Sequence, residues 1–296
     1  MARGHFASSE KQSASVMKEL QGSVLSSVGT VRNYEQALKT CCDHLKSERL
    51  GALRDVTKET AEKYLSERAL SVSQSTVDRD RLALQCMMQN VTHQLSPAER
   101  LDTIKSTKET QLKSRSYTPE QVALITEHQT EKYAFVTKLC YESGLRAHEL
   151  YTLRPISEVQ PSPREIHENK FTHLAGKTIS YTVNGKGGLI REVQIPKVLA
   201  NQLETYRLKV PITIVDRNVN YKSHYAIPGG LKFSNAFSKN SARTLGYSHG
   251  AHGLRHSYAQ NRYQQLSNHY QRSDVMKIIS QELGHFREDI TEVYLR

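Results

Sequence analysis

The sequence predicts a mainly helical α+β protein in two domains, a small helical bundle followed by a larger domain that carries one β-hairpin. Three features predict it. Apolar residues recur at helical spacing through residues 30–93. A polar, basic stretch over 105–116 gives way to a fresh helix-start signal. Two short β-branched runs then flank a glycine-rich turn. At 296 residues the chain can bury two cores.

Residues 1–28 are rich in Ser, Gln and Lys and predict an N-terminal arm or a frayed first helix. The bundle spans 29–104. From Thr30, the positions Val31, Tyr34, Leu38, Cys41 and Leu45 share one helical face, and Gly51 follows the stop. A second helix fits Thr57 to Leu70, with Ala61, Tyr64, Leu65 and Ala69 inward. A third fits Ser75 to about His93, with Val77, Leu84 and Met88 inward. Arg79 and Arg81 on that helix are candidates for contact with the backbone of a polyanion; a merely solvated face is the plain alternative.

Residues 105–116 have the composition of a linker. The second domain, 117–296, opens at Thr118-Pro119-Glu120-Gln121. Threonine caps, proline takes the first helical position and Gln121 completes a capping box. A helix over Tyr133–Glu142 stops at Gly144, and Arg146 is expected at the start of the next. A long loop runs from Pro155 to about Leu174. Strands are predicted over Thr178–Val183 and Leu189–Ile195, joined by Asn184-Gly185-Lys186-Gly187-Gly188, and the chain reads as helical from Asn235 onward.

Net charge is +11, with a pI near 9.4, a mean hydropathy of −0.60 and 37% hydrophobic residues. That surplus favours a polyanion, most commonly nucleic acid. No stretch has signal-peptide or membrane-spanning character, which predicts a cytoplasmic protein without a membrane partner. Cys41, Cys42, Cys86 and Cys140 form no CxxC pair and read as reduced thiols.

The chemistry concentrates in three segments: Gly144-Leu145-Arg146-Ala147-His148-Glu149-Leu150, His252-Gly253-Leu254-Arg255-His256, and Leu283-Gly284-His285 running on to Tyr294. Together they suit attack on phosphate. A phosphodiester repels nucleophiles, so catalysis must neutralise charge on a five-coordinate phosphorus and align attacking and leaving oxygens. Arg146 and Arg255 carry permanent forked charges for that task. Loss of one such donor costs on the order of 3 kcal/mol of barrier. Tyr294 is the candidate nucleophile. A phenol of ordinary pKa near ~10 is only about one-thousandth ionised at neutral pH, so it needs a cationic pocket and a base. His252, on the helical face of Arg255, is the candidate base, and His285, expected near a helix start, joins the set. Lys186 at the hairpin tip can donate a proton to the leaving 5′ oxygen, and Glu149 can hold the Arg146 guanidinium. Each residue alone has a plain structural explanation; their joint order and spacing do not.

These segments resemble the tyrosine recombinase (integrase) family of site-specific DNA recombinases. Gly144-Leu145-Arg146 with Glu149-Leu150 is similar to its first arginine box, His252-x-Leu254-Arg255-His256 to its second, and Leu283-Gly284-His285 to the histidine that follows, with Tyr294 at the usual distance. Gly185-Lys186-Gly187 with Arg191-x-Val193-x-Ile195-Pro196 resembles the family's β-hairpin lysine region, and Arg191 joins the DNA-backbone candidates. The resemblance covers the whole second domain, and the first resembles the helical core-binding domain.

The resemblance implies a catalytic set of Arg146, Lys186, His252, Arg255, His285 and Tyr294, supported by Glu149, and a 3′-phosphotyrosyl intermediate. It implies strand exchange with no metal and no cofactor, double-stranded recombination sites as the partner, and a homotetramer on DNA. Integration and excision of a mobile element is the biological role this suggests, and an accessory DNA-bending or directionality protein is a further candidate partner. Only two residues follow Tyr294, where many members continue into a docking helix, so either protomers meet through other contacts, such as the N-terminal segment, or neighbours interact differently. Two rivals stay open: a topoisomerase-like activity using the same pocket, and a catalytically silent DNA-binding regulator. His249, His252 and His256 also form an H-x2-H-x3-H run, but no neighbouring carboxylate or thiolate completes a zinc site.

Overall fold

The computed structural model describes residues 7–109, 114–287 and 291–296. The chain forms two compact units, 1–111 and 112–296.

The first unit is a helical bundle of α1 (Ser9–Leu20), α2 (Val28–Ser47), α3 (Lys58–Ala69) and α4 (Gln74–Asn90). Its core gathers Leu38, Cys41 and Leu45 from α2, Ala61, Tyr64 and Leu65 from α3, and Val77, Leu84 and Met88 from α4, the inward positions that helical spacing predicts. The Thr57 side chain caps α3 by accepting from the Thr60 N–H. The N-terminal segment differs from expectation. Residues 9–20 are no free arm: Val16, Met17 and Leu20 are buried in the bundle core, and Ser8 caps the helix. A stripe of three large apolar side chains suffices when the rest of the helix faces water, and a Ser- and Lys-rich composition conceals it. The start of the expected linker is likewise laid on this unit, with the Thr107 N–H donating to Ala69 O and the Ser106 hydroxyl to Val72 O.

The second unit begins with α5 (Pro119–Glu127), whose Thr118–Gln121 capping box forms as predicted, and α6 (Glu131–Ser143). A short antiparallel sheet follows, ordered β1 (Arg154–Pro155), β2 (Thr178–Asn184), β3 (Ile190–Pro196). Residues Lys186–Gly188 make the turn between β2 and β3, with Gly187 and Gly188 at positive φ. Along β3 buried and half-buried positions alternate, so Arg191, Val193 and Ile195 point into the unit. After α7 (Lys197–Thr205) comes a second hairpin that no turn signal in the sequence predicts, β4 (Arg207–Asp216) and β5 (Val219–Tyr225). Its tip is Arg217-Asn218, both at positive φ, so it lacks the glycine that marks the first hairpin. Helices α8 (Gly230–Leu245), α9 (His252–Ser267) and α10 (Arg272–Glu282) complete the unit. The main core joins α5, α6, β2, β3 and α8. A smaller cluster of Tyr258, Leu266, Val275, Ile278, Ile279 and Leu283 packs α9 on α10 and takes in Tyr294.

The long loop before β2 is tied to α9 and α10. The His167 N–H donates to Gln281 Oε1, the Phe171 N–H to Glu282 Oε1, and Arg262 to Thr172 O. Among the described residues, no helix is long and apolar enough to cross a membrane.

Candidate active site

The end of α6 sets the first arginine. Gly144 terminates the helix at φ +59°, where a Cβ would meet the Tyr258 ring at 2.7 Å, so both conformation and space require glycine. The chain then turns tightly. Arg146 lies in this turn and not, as the sequence suggested, at a helix start; only a short 3₁₀ segment, Glu149–Tyr151, follows. Glu149 is fully buried and folds back on the turn, accepting the Arg146 N–H and its Nη1, both at 2.7 Å.

Arg255 occupies the first turn of α9 and is fully buried. Its Nη1 donates to Gly144 O and its Nη2 to Leu283 O, so one guanidinium ties the end of α6 to the end of α10. Among the described residues its Nε has no hydrogen-bond partner. Burial, then Arg146 and Arg191, push it down to about 9, which leaves it charged at neutral pH.

His285 does not begin a helix. α10 ends at Glu282, Gly284 takes φ +72°, and the His285 N–H returns to Ser280 O, closing the helix end and aiming the imidazole at the arginines. Its Nε2 lies 2.9 Å from Arg146 Nη2, 3.4 Å from Arg255 Nη2 and 3.4 Å from Tyr294 Oη. Facing guanidinium donors, this nitrogen must accept, which assigns the ring proton to Nδ1. Burial and the charges of Arg255 and Arg146 push His285 down to about 3, so the ring is neutral.

Tyr294 closes the cluster. Its hydroxyl sits 3.2 Å from His252 Nε2, its ring centroid 4.6 Å from that of His256, and the Arg255 guanidinium lies 5.7 Å from its ring centre. Only 5% of Tyr294 is exposed. His252 is held below its ordinary value by desolvation of its inner face and by Arg255, an effect weakened by solvent at its exposed edge.

Arg146, His252, Arg255, His285 and Tyr294 therefore converge, with Glu149 beneath them. Lys186 is on the β2–β3 turn and its side chain lies outside the described structure. The turn itself is at the site: a Cβ on neighbouring Gly185 would lie 3.6 Å from Glu149 Oε1 and 3.9 Å from Arg146 Nη1.

Arg191 departs from its expected role. It is 3% exposed, donates to Glu149, Glu282 O and Gly144 O, and presents no charge to a surface where DNA could lie. The signal was its parity with Val193 and Ile195 on the inward face of β3. In the bundle, Arg79 pairs with buried Asp80, and Arg81 donates to Gln85 and Leu101 O, so both heads already have protein partners. His256, part of the second arginine box but assigned no task of its own, packs tilted against the Tyr294 ring, and Glu282, which no motif singles out, is a buried carboxylate shared by Arg262, Tyr258 and Phe171 N. Burial raises the Glu149 carboxyl, and Arg191, Arg255 and Arg146 outweigh it, holding the group well below the usual carboxylate range.

Residues 18–94 match the family described as the phage integrase N-terminal SAM-like domain. Three solved structures align with nearly the whole chain. A XerH site-specific recombinase in a post-cleavage complex with palindromic difH substrate is 16% identical, with TM-score 0.59, covering 98% of this chain and 82% of that one. A lambda integrase dimer bound to a COC′ core site is 15% identical, with TM-score 0.57 and coverages of 97% and 94%. The fold is that of the tyrosine recombinases. The Tn1549 transposon integrase, in complex with transposon right-end DNA, shares this tyrosine-recombinase fold at 14% identity and TM-score 0.54, covering 98% and 95%. No curated protein sequence matches the chain.

Proposed function

We propose that this chain is a site-specific DNA recombinase that cuts and rejoins strands through Tyr294. One observation carries the proposal: the Tyr294 hydroxyl and the Arg146 and Arg255 guanidiniums meet at the single atom His285 Nε2, and the same hydroxyl lies 3.2 Å from His252 Nε2. A phosphate seated there would put its non-bridging oxygens against the two guanidiniums and its phosphorus before the phenol.

His252 takes the phenolic proton as Tyr294 Oη forms a bond to phosphorus. The P–O5′ bond breaks, and the leaving oxygen takes a proton from Lys186. The product is a 3′-phosphotyrosyl link and a free 5′-hydroxyl. Attack on that link by a 5′-hydroxyl of the partner duplex reverses each transfer and restores Tyr294. One phosphodiester replaces another, so no nucleotide is hydrolysed. The first unit would grip the duplex as a core-binding domain. The similar structures, a recombinase with its difH substrate and integrases on a core site and a transposon end, support paired DNA sites as substrate. Four protomers would assemble on two such sites, serving a mobile element.

A nicked suicide duplex carrying the cognate site tests this. The wild-type chain is expected to form a covalent adduct, and Tyr294→Phe to form none while retaining affinity. Binding without an adduct would indicate a silent regulator. Site-independent relaxation of supercoiled plasmid would indicate a topoisomerase.

A further inference from the structure

We propose that Arg191 is a positioning residue of the active site: its guanidinium clamps the carboxylate that orients Arg146 to the helix end that presents His285. The catalytic consequence rests on the strand-transfer function proposed above; the clamp itself is a matter of geometry.

Three parts of the second unit must keep register for the cluster to exist: the turn after α6, the β2–β3 hairpin and the end of α10. Arg191 touches all three. It belongs to β3. Its Nε and Nη2 donate to Glu149 Oε1 and Oε2 at 3.3 and 2.7 Å, and Nη2 also reaches Gly144 O at 3.3 Å. Its Nη1 donates to Glu282 O at 2.7 Å, at the last residue of α10. The stem lies against Gly284, where a Cβ would come within 2.6 Å of Arg191 Cδ. A displaced stem would therefore move the residue that precedes His285.

The α10 end is held from its other side as well. The Glu282 carboxylate accepts Arg262 Nε and Nη2, the Tyr258 hydroxyl and the Phe171 N–H. Glu282 is thus pinned by its side chain to α9 and the long loop, and by its carbonyl to β3. Only a planar fork spans a carboxylate and two carbonyls on diverging segments. A lysine ammonium in the same burial keeps the charge but is a single point.

The deciding variant is Arg191→Lys, because it leaves a buried cation for Glu149. At a temperature where it is folded, R191K is expected to bind the DNA site within about twofold of wild type and to form the covalent adduct at least about tenfold more slowly, since small misplacements at a reacting centre are costly in rate. A second readout needs no DNA. The His285 ring signals in a long-range ¹H–¹⁵N spectrum should shift in R191K and stay fixed in R68K, the same exchange in the Arg68–Asp80 pair of the first unit. A folded R191K with wild-type adduct rate and unmoved His285 signals overturns the proposal. So does an R191K chain that cannot fold, which would make Arg191 a residue of the fold alone. If the wild-type chain itself forms no adduct, the recombinase assignment fails, and the His285 spectrum alone decides whether the clamp exists.

Discussion

Glu149→Gln is the most informative single perturbation of this site. Glu149 is wholly buried and is the anionic counterweight to three arginines, Arg146 and Arg191 each at 2.7 Å and Arg255 at 4.0 Å. Arg255 and Arg191 are themselves almost inaccessible, so loss of the negative charge leaves buried cations uncompensated. Breaking such a pair from one side costs about 3–5 kcal/mol. For a unit of this size each kcal/mol moves Tm by about 2–4 °C, so E149Q should melt about 6–20 °C below wild type. The pH dependence should change with it. The folded carboxyl is depressed, so its contribution to stability is complete above the unfolded value of ~4.3 and is lost as pH falls toward the folded one. Wild type therefore has a stability slope of up to ~1.4 kcal/mol per pH unit below pH ~4.3 from this group, and E149Q lacks it. Calorimetry at pH 7 and in steps down to pH 3 measures both. An E149Q protein that melts within about 2 °C of wild type at pH 7, with an unchanged acid slope, would refute the account of Glu149 as counterweight.

Two further outcomes follow from the same geometry. His285 and His256, pushed down to about 3 and 4 by burial beside arginines, should show ring signals that stay constant from pH 8 to pH 5, whereas an unperturbed imidazole titrates near ~6.5; movement in that range would mean the pocket is open to water. Tyr294 meets His252, Arg255 and His285 of its own chain, so cleavage is expected in cis. Mixing Y294F with R255A protomers should then yield no adduct, and restored cleavage in the mixture would show that the tyrosine is delivered to a partner's pocket.

Several elements were legible before any coordinates. The Thr118–Gln121 capping box, the stop at Gly144 and the glycine-bearing β2–β3 turn are local signals, set by dihedrals and hydrogen bonds within a few residues, and each forms where the sequence puts it. The β4–β5 hairpin escaped because Arg217-Asn218 makes its tip without glycine. His285 follows the end of α10, which Gly284 marks, and is not itself helical. Between an arm and a first helix, the sequence does not choose for α1, because three apolar residues in a polar segment become a helix face only when another helix is present to cover them.

The sequence by itself determined the order of the chemical groups, the two-domain plan, the caps and turns that carry each group, and a surplus of positive charge. The tertiary structure alone decided which groups meet. Arg146 and His285 are 139 positions apart, and no local propensity encodes their 2.9 Å approach. It also decided the fate of Arg191: on paper a cation available to DNA, it is turned inward by the pleat of β3, and a charge denied water had to find Glu149 and two carbonyls.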